Sequence, residues 1–253
     1  MIINKFEPES NTLQKSNFEL VVIGSGAGAS YIYDGLTSSS FMLLKSGEPF
    51  CLIDLGLGVG RQVVERFGQF PRNIVITHNH SDHAGDLAVV LRVELVKQNK
   101  CKVIATTGVM ERLQQHRIAE HLEQMDAESL ADWGTVAENE KTDIGFGLTI
   151  EFYPGVHSEL SYGFVVRDEN GHARLSYTGD SKFSEELYQK LSEADVFIID
   201  ARPKANPWHA NFTEVKDWLT PNRYILGHGL TKEQAIKEYA SLPLLLTKQH
   251  IKF

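Results

Sequence analysis

Short apolar runs, rich in β-branched and aromatic residues and separated by glycine-rich or polar turns, fill the first third of the chain. Residues 18–23, 39–44, 50–55 and 73–77 predict strands on this pattern. Another strand is predicted at 102–105. After it Met110, Leu113, Ile118, Leu122 and Met125 recur among charged neighbours as an imperfect amphipathic helix. The alternation then resumes, with strands predicted at 148–152, 162–166, 173–177 and 196–199 and helices near 184–192 and 213–219. A short buried strand at 224–226 precedes a last helix near 231–239. There is no repeat of solenoid length, no low-complexity tract and no Pro/Ser-rich linker. The chain is therefore expected to form a polar arm over residues 1–16 and a single domain over 17–253. Strands that first run together and then alternate with helices point to an α/β fold, α+β in some schemes, with large mixed sheets.

Composition narrows the class. With 253 residues, 42% hydrophobic and 23% charged, the chain has the make-up of an ordinary globular protein. Acidic residues outnumber basic ones 33 to 25, and a net charge of −8 argues against a broad cationic nucleic-acid footprint or a polybasic membrane anchor. Residues 1–20 carry Glu7 and Glu9 and no apolar core of a signal peptide, and no later run is long enough for a membrane span. Cys51 and Cys101 are too few for a disulfide framework, so a reducing, cytoplasmic setting is expected. Ten histidines beside two cysteines are the unusual feature.

The glycine-rich stretch Gly24-Ser25-Gly26-Ala27-Gly28 follows a strand, as a dinucleotide-binding turn does. The residues after it, 30–40, are turn formers without a helical apolar stripe, so a structural turn is the expected reading. The segment His78-Asn79-His80-Ser81-Asp82-His83 is different. Three imidazoles and a carboxylate at the end of a strand are costly to bury without a partner, and a divalent cation is a natural one. Further ligand types stand after other strands: His157, Asp180 in a Gly-Asp turn, and His228 between two glycines.

This order, HxHxDH followed by a lone His, a Gly-Asp turn and a final His, resembles the metallo-β-lactamase superfamily from about Phe18 to His228. The resemblance implies a four-layer αββα sandwich with a two-metal centre at one edge of its sheets. On it, His78, His80 and His157 would hold one metal, Asp82, His83 and His228 the other, and Asp180 would bridge them. Asp54 matches a position that supports the histidine loop, or is simply a turn residue after its strand. Nitrogen and oxygen ligands without thiolate suit zinc first, with manganese or iron also admitted.

Departures sort the substrate. Neither cysteine lies near a metal position, unlike the class B1 β-lactamases, and Phe183 stands where acyl-homoserine lactonases carry a tyrosine. Asp200 at a strand end, followed by His209 at a helix entry, resembles the phosphodiesterase branch that includes RNase Z and the cyclic-phosphate phosphodiesterases. By that match His209 would contact phosphate or act as general acid, with Asp200 orienting it; Asp82, His209 and Asp200 form the candidate catalytic set. Arg202 and Lys182 are further candidates for holding phosphate. Only 23 positions separate His157 from Asp180, too few for the tRNA-gripping arm of RNase Z. The expectation is a two-metal phosphodiesterase acting on a small or cyclic anionic substrate, with no stable nucleic-acid partner and no membrane. A homodimer is compatible with it. An ester, thioester or lactone hydrolase on the same metals is the alternative; tRNA 3′ processing and non-catalytic metal binding rank behind.

Overall fold

The computed structural model describes residues 17–138 and 140–253, so the arm expected over residues 1–16 lies outside the described residues. In chain order the strands are β1 (Phe18–Gly24), β2 (Ser40–Lys45), β3 (Glu48–Ile53), β4 (Asn73–Val75), β5 (Lys102–Thr106), β6 (Asp132–Val136), β7 (Lys141–Gly145) and β8 (Leu148–Pro154). They continue as β9 (Tyr162–Arg167), β10 (Ala173–Tyr177), β11 (Val196–Arg202), β12 (Ala210–Asn211), β13 (Arg223–Leu226), β14 (Leu244–Leu245) and β15 (His250–Lys252). One sheet has the order β15-β1-β2-β3-β4-β5-β6; the other has β14-β13-β11-β10-β9-β8-β7, with β12 paired to β11. Both are mixed. β1, β2 and β3 run antiparallel, with Leu20 opposite Leu43, whereas β3 to β6 run parallel and need crossover connections.

The two-residue side-chain period of the strands explains the layers. Phe164 and Val166 of β9, and Val196 and Ile198 of β11, join the core between the sheets. The intervening Val165, Phe197 and Ile199 face the other way and pack with Leu187, Tyr188 and Leu191 of the helix Glu185–Leu191. Helices Val59–Phe67 and Leu87–Val96 contribute Val59, Val63, Leu87 and Leu91 to the core on the side of the first sheet. The result is the αββα sandwich. Each large apolar side chain buried in it contributes about 1.5–3 kcal/mol relative to exposure.

Most strands lie within two residues of their predicted bounds. The amphipathic run after β5 is broken: a helix at Thr107–Arg112 passes into a π-helical turn at Leu113–Arg117 and a 3-10 turn at Ala119–His121. Residues 213–219 likewise divide into Phe212–Val215 and a 3-10 turn. Both buried cysteines are unpaired, and no helix among the described residues is long and apolar enough to cross a membrane.

Candidate metal centre

The glycine-rich turn is structural, and it overhangs the site. A methyl group on Gly24 would lie 2.2 Å from the Ser38 carbonyl oxygen, so only glycine lets the chain pass there; Gly28 comes to lie over the Asp82 carboxylate, its position for a methyl 3.7 Å away. A single helical turn, Ser30–Tyr33, follows, far shorter than a dinucleotide site requires.

His80 is still extended when the chain enters the one-turn helix Ser81–Ala84, and this switch sends Asp82 and His83 inward. The turn docks on residues 55–57: Leu55 N–H donates to the His83 carbonyl at 2.7 Å, and Asp86 N–H to that of Leu55 at 3.0 Å. Gly56 must be glycine, since a methyl there would stand 2.0 Å from the Asp82 carbonyl oxygen.

The seven residues expected to hold metal come together in two sets. In the first, His78 Nε2 lies 3.2 Å and His157 Nε2 3.1 Å from His80 Nδ1. In the second, Asp180 Oδ1 is 3.3 Å from His83 Nε2, and Asp82 Oδ2 is 3.6 Å from His228 Nε2. Ligands bonded to a tetrahedral cation at about 2.0–2.1 Å stand about 3.3 Å apart, close to these separations. His83 Nε2, His228 Nε2 and Asp180 Oδ1 are buried and have no hydrogen-bond partner among the described residues. Orphaned acceptors aimed at one point are costly in a bare protein, and a cation satisfies all three. The residues present therefore fit a divalent metal.

Buried carboxylates fix which ring nitrogens are offered. His83 Nδ1–H donates to Asp54 Oδ2 at 2.7 Å, which leaves Nε2 bare. The Thr77 hydroxyl donates to the same carboxylate at 2.9 Å and faces His78 Nδ1 at 3.1 Å, so Asp54 also orients a ligand of the first set through Thr77. Asp54 holds φ at 60°, a left-handed conformation uncommon outside glycine, Asn and Asp. Its role as support was only one of two readings of the sequence; its hydrogen bonds decide for support. His157 Nδ1–H donates to the Trp208 carbonyl at 3.0 Å.

Asp200 does more than the sequence suggested. Its Oδ2 accepts from His209 Nδ1 at 2.7 Å, as expected, and its Oδ1 accepts from His228 Nδ1 at 2.8 Å. One buried carboxylate thus orients both His209 and a residue of the second set. The second grip leaves no mark in the sequence, because it depends on β11 and β13 being neighbours in the sheet. Arg202, at the end of β11, donates to the His228 carbonyl at 3.1 Å and lies 3.2 Å from His209 Nε2. Lys182 is exposed and has no contact with either set among those described.

The family model described as the Anti-Pycsar protein Apyc1 matches residues 18–224. The chain belongs to this family. Among curated relatives of this Apyc1-family protein, the uncharacterized protein Rv1339 of Mycobacterium tuberculosis (strain H37Rv) is 25% identical over 188 residues, which span 73% of this chain and 68% of the relative. Solved structures that resemble it include the metallo-β-lactamase fold protein YhfI from Bacillus subtilis, with a TM-score of 0.71 at 15% identity, covering 93% of this chain and 99% of that one. A diphosphatase of the PhnP family has a TM-score of 0.67 at 20% identity and coverage of 93% and 98%. Human tRNase Z, short form, has 0.66 at 18% and coverage of 92% and 98%. The likeness establishes the metallo-β-lactamase fold.

Charge in the Apyc1-family site is balanced by protons when metal is absent. Burial alone would lower the His83 pKa, but the carboxylates of Asp180, Asp54 and Asp82 override it and raise it well above the usual value. Burial likewise opposes ionisation of Asp82, yet His83 and His228 hold its pKa below the carboxylate range. A raised histidine stabilises the fold fully below its unfolded pKa of about 6.5, and that contribution is lost as pH rises through the folded value. A depressed carboxylate contributes above about 3.9 and loses its contribution as pH falls through the folded value. His78 and His157, whose pKa values burial lowers, pull the other way below about pH 6.5, so the decline of the metal-free protein that His83 causes is expected in the range above it. The rise in melting temperature on adding zinc should grow with pH over that upper range, because the cation displaces the protons. Thermal melts with and without zinc from pH 5 to 9 check this; a zinc effect that shrinks with pH would count against these histidines as ligands.

Proposed function

We propose that the protein is a two-metal hydrolase that cleaves a small phosphodiester, cyclic ones included. His78, His80 and His157 would hold one ion, Asp82, His83 and His228 the other, with Asp180 between. When bound, the ions supply Lewis acidity and an activated water at neutral pH. The observation that carries the phosphodiester reading is His209, nearly buried, bonded to Asp200 and within 5.0 Å of His157 between ring centres.

An alkoxide leaving phosphorus needs a proton, and a histidine so placed can supply one. Water would add to phosphorus as the ester P–O bond breaks, and His209 Nε2 would deliver the proton to the departing oxygen, giving a phosphomonoester and an alcohol. Arg202, beside His209, would take a phosphoryl oxygen; its buried Nε makes no hydrogen bond among the described residues and stands 4.0 Å from Asp200 Oδ1. A cavity of about 480 Å³, lined by Arg202, Lys204, His209, Gln234 and Tyr239 among others, opens beside them and is large enough for the organic part of such a molecule. Among the fold neighbours, the names diphosphatase and tRNase Z lend support. Against a tRNA substrate, β9 and β10 with the turn 168–172 occupy most of the stretch between His157 and Asp180.

The test is a panel of bis(4-nitrophenyl) phosphate, cyclic nucleotides, 4-nitrophenyl acetate and a lactone, assayed with zinc or manganese. Turnover of at least one diester is expected. Ester or lactone hydrolysis with no diester cleaved would overturn the reading in favour of an acyl hydrolase.

A further inference from the structure

Two arginines of one short segment reach the two loops that present the first histidine set. After β5 the helix Thr107–Arg112 and the π-helical turn Leu113–Arg117 are fixed in the core by Val109, Met110, Leu113 and, just beyond, Ile118. Arg117 grips the loop of His78 and His80. Its Nε donates to Asn79 Oδ1 at 3.0 Å, its Nη2 to the Asn79 carbonyl at 2.6 Å and its Nη1 to Ser81 Oγ at 3.4 Å. Arg112 forms an ion pair with Glu159, two residues beyond His157. The start of the helix presses on the same loop, since a methyl on Gly108 would lie 2.8 Å from Leu160 Cδ1. The loops also meet directly through a backbone bridge between His78 and Ser161.

The π turn is what allows one segment to do both. On an α-helix, residues five apart differ by about 140° around the axis, so Arg112 and Arg117 would point to different sides. The wider turn, closed by the Ile118 N–H donating to the Leu113 carbonyl at 3.1 Å, brings them back towards one face. This is also why the amphipathic pattern over 110–125 looks imperfect. The second set is braced differently: His83 and His228 are oriented by the buried carboxylates of Asp54 and Asp200, and this segment reaches the helix that carries Asp82 and His83 only through the long, exposed Arg117–Ser81 contact at 3.4 Å.

We infer that residues 107–117 form a clamp for the first metal set, in which Arg112 and Arg117 are positioning residues that keep His157 at ligating distance from His78 and His80. Occupancy of the first set then depends on this segment, and that of the second does not. The inference rests on the two-metal reading above.

The experiment is zinc titration of the full chain against a chromophoric chelator, with bound metal counted by atomic spectroscopy. Arg117→Gln and Glu159→Gln should each weaken one of two zinc affinities about 10–100-fold and leave the other unchanged. Arg117→Lys should recover only part of the loss, because an ammonium cannot make the guanidinium fork. Glu159→Gln removes a charge at the rim and leaves the core intact, so it reports even if the Arg117 variants fail to fold. If the wild type binds two ions and the variants lower the melting temperature with both affinities unchanged, or weaken both equally, the clamp is overturned alone. A wild type that takes up fewer than two ions overturns the two-metal reading and the clamp together.

Discussion

Asp180→Asn is expected to lower kcat/KM on any accepted diester by about a thousandfold or more, with bound metal falling below the wild-type content. Asp180 is almost completely buried, and its Oδ1 stands 3.3 Å from His83 Nε2 and 3.4 Å from His228 Nδ1. Burial opposes its ionisation, but His228, His83 and His78 hold its pKa well below the usual carboxylate range. Its charge is felt by His78 and His157 of the first set as well. A carboxylate that influences both sets is the candidate for the shared ligand proposed above. Asparagine keeps the volume, removes the charge and turns either an amide oxygen or an N–H toward His83. Loss of about 4 kcal/mol of the transition-state stabilisation that cations held here would supply corresponds to about a thousandfold in rate. The checks are kcat/KM with metal in excess and metal content after dialysis. A variant that keeps two ions and stays within tenfold of the wild type would remove Asp180 from the bridging role.

The candidate ligands of this site are more legible in the sequence than the groups that orient them. Histidines and aspartates at strand ends stand out because few other causes put them there, and the structure brings His78, His80, Asp82, His83, His157, Asp180 and His228 into two sets. Support travels through space. Asp54 reaches His78 only by way of the Thr77 hydroxyl, and Asp200 reaches His228 only because β11 lies beside β13. Neither relation has a spacing that a linear pattern could display.

The helices divided in the same way. The helix Lys232–Glu238 carries a capping box from Thr231 to Gln234 and was predicted within a residue. The helix Leu87–Val96 has no such signature. Its sequence LAVVLRVELV is apolar on nearly every side, with Val89, Val93 and Val96 exposed and Leu87, Val90 and Leu91 buried, so no 3.6-residue stripe separates it from a strand. Edge strands such as β7, exposed over much of their length, lack the apolar run that marks a central strand.

His209→Ala is the second large effect expected, and its size should depend on the leaving group. With its Nδ1–H donated to Asp200 Oδ2 at 2.7 Å, the ring presents Nε2, the atom now 3.2 Å from Arg202 Nη2. A substrate phosphoryl group that engages Arg202 would free Nε2 for the departing oxygen. For a diester whose leaving group is an alkoxide, removing the proton donor should lower kcat by a hundredfold to ten-thousandfold. For bis(4-nitrophenyl) phosphate the leaving nitrophenolate is a stable anion, so the same variant should lose far less. Equal losses on both substrates would mean that His209 binds the phosphoryl group instead of moving a proton. Asp200 cannot make this distinction, since replacing it also releases His228 from its carboxylate. His209 is separable because its ring is bonded to Asp200 and Arg202 and it is not one of the seven residues expected to hold metal, although it also lies with Asp180, Asp200 and His228 in a third group of ligand types; its removal should leave metal content unchanged while the leaving-group dependence steepens.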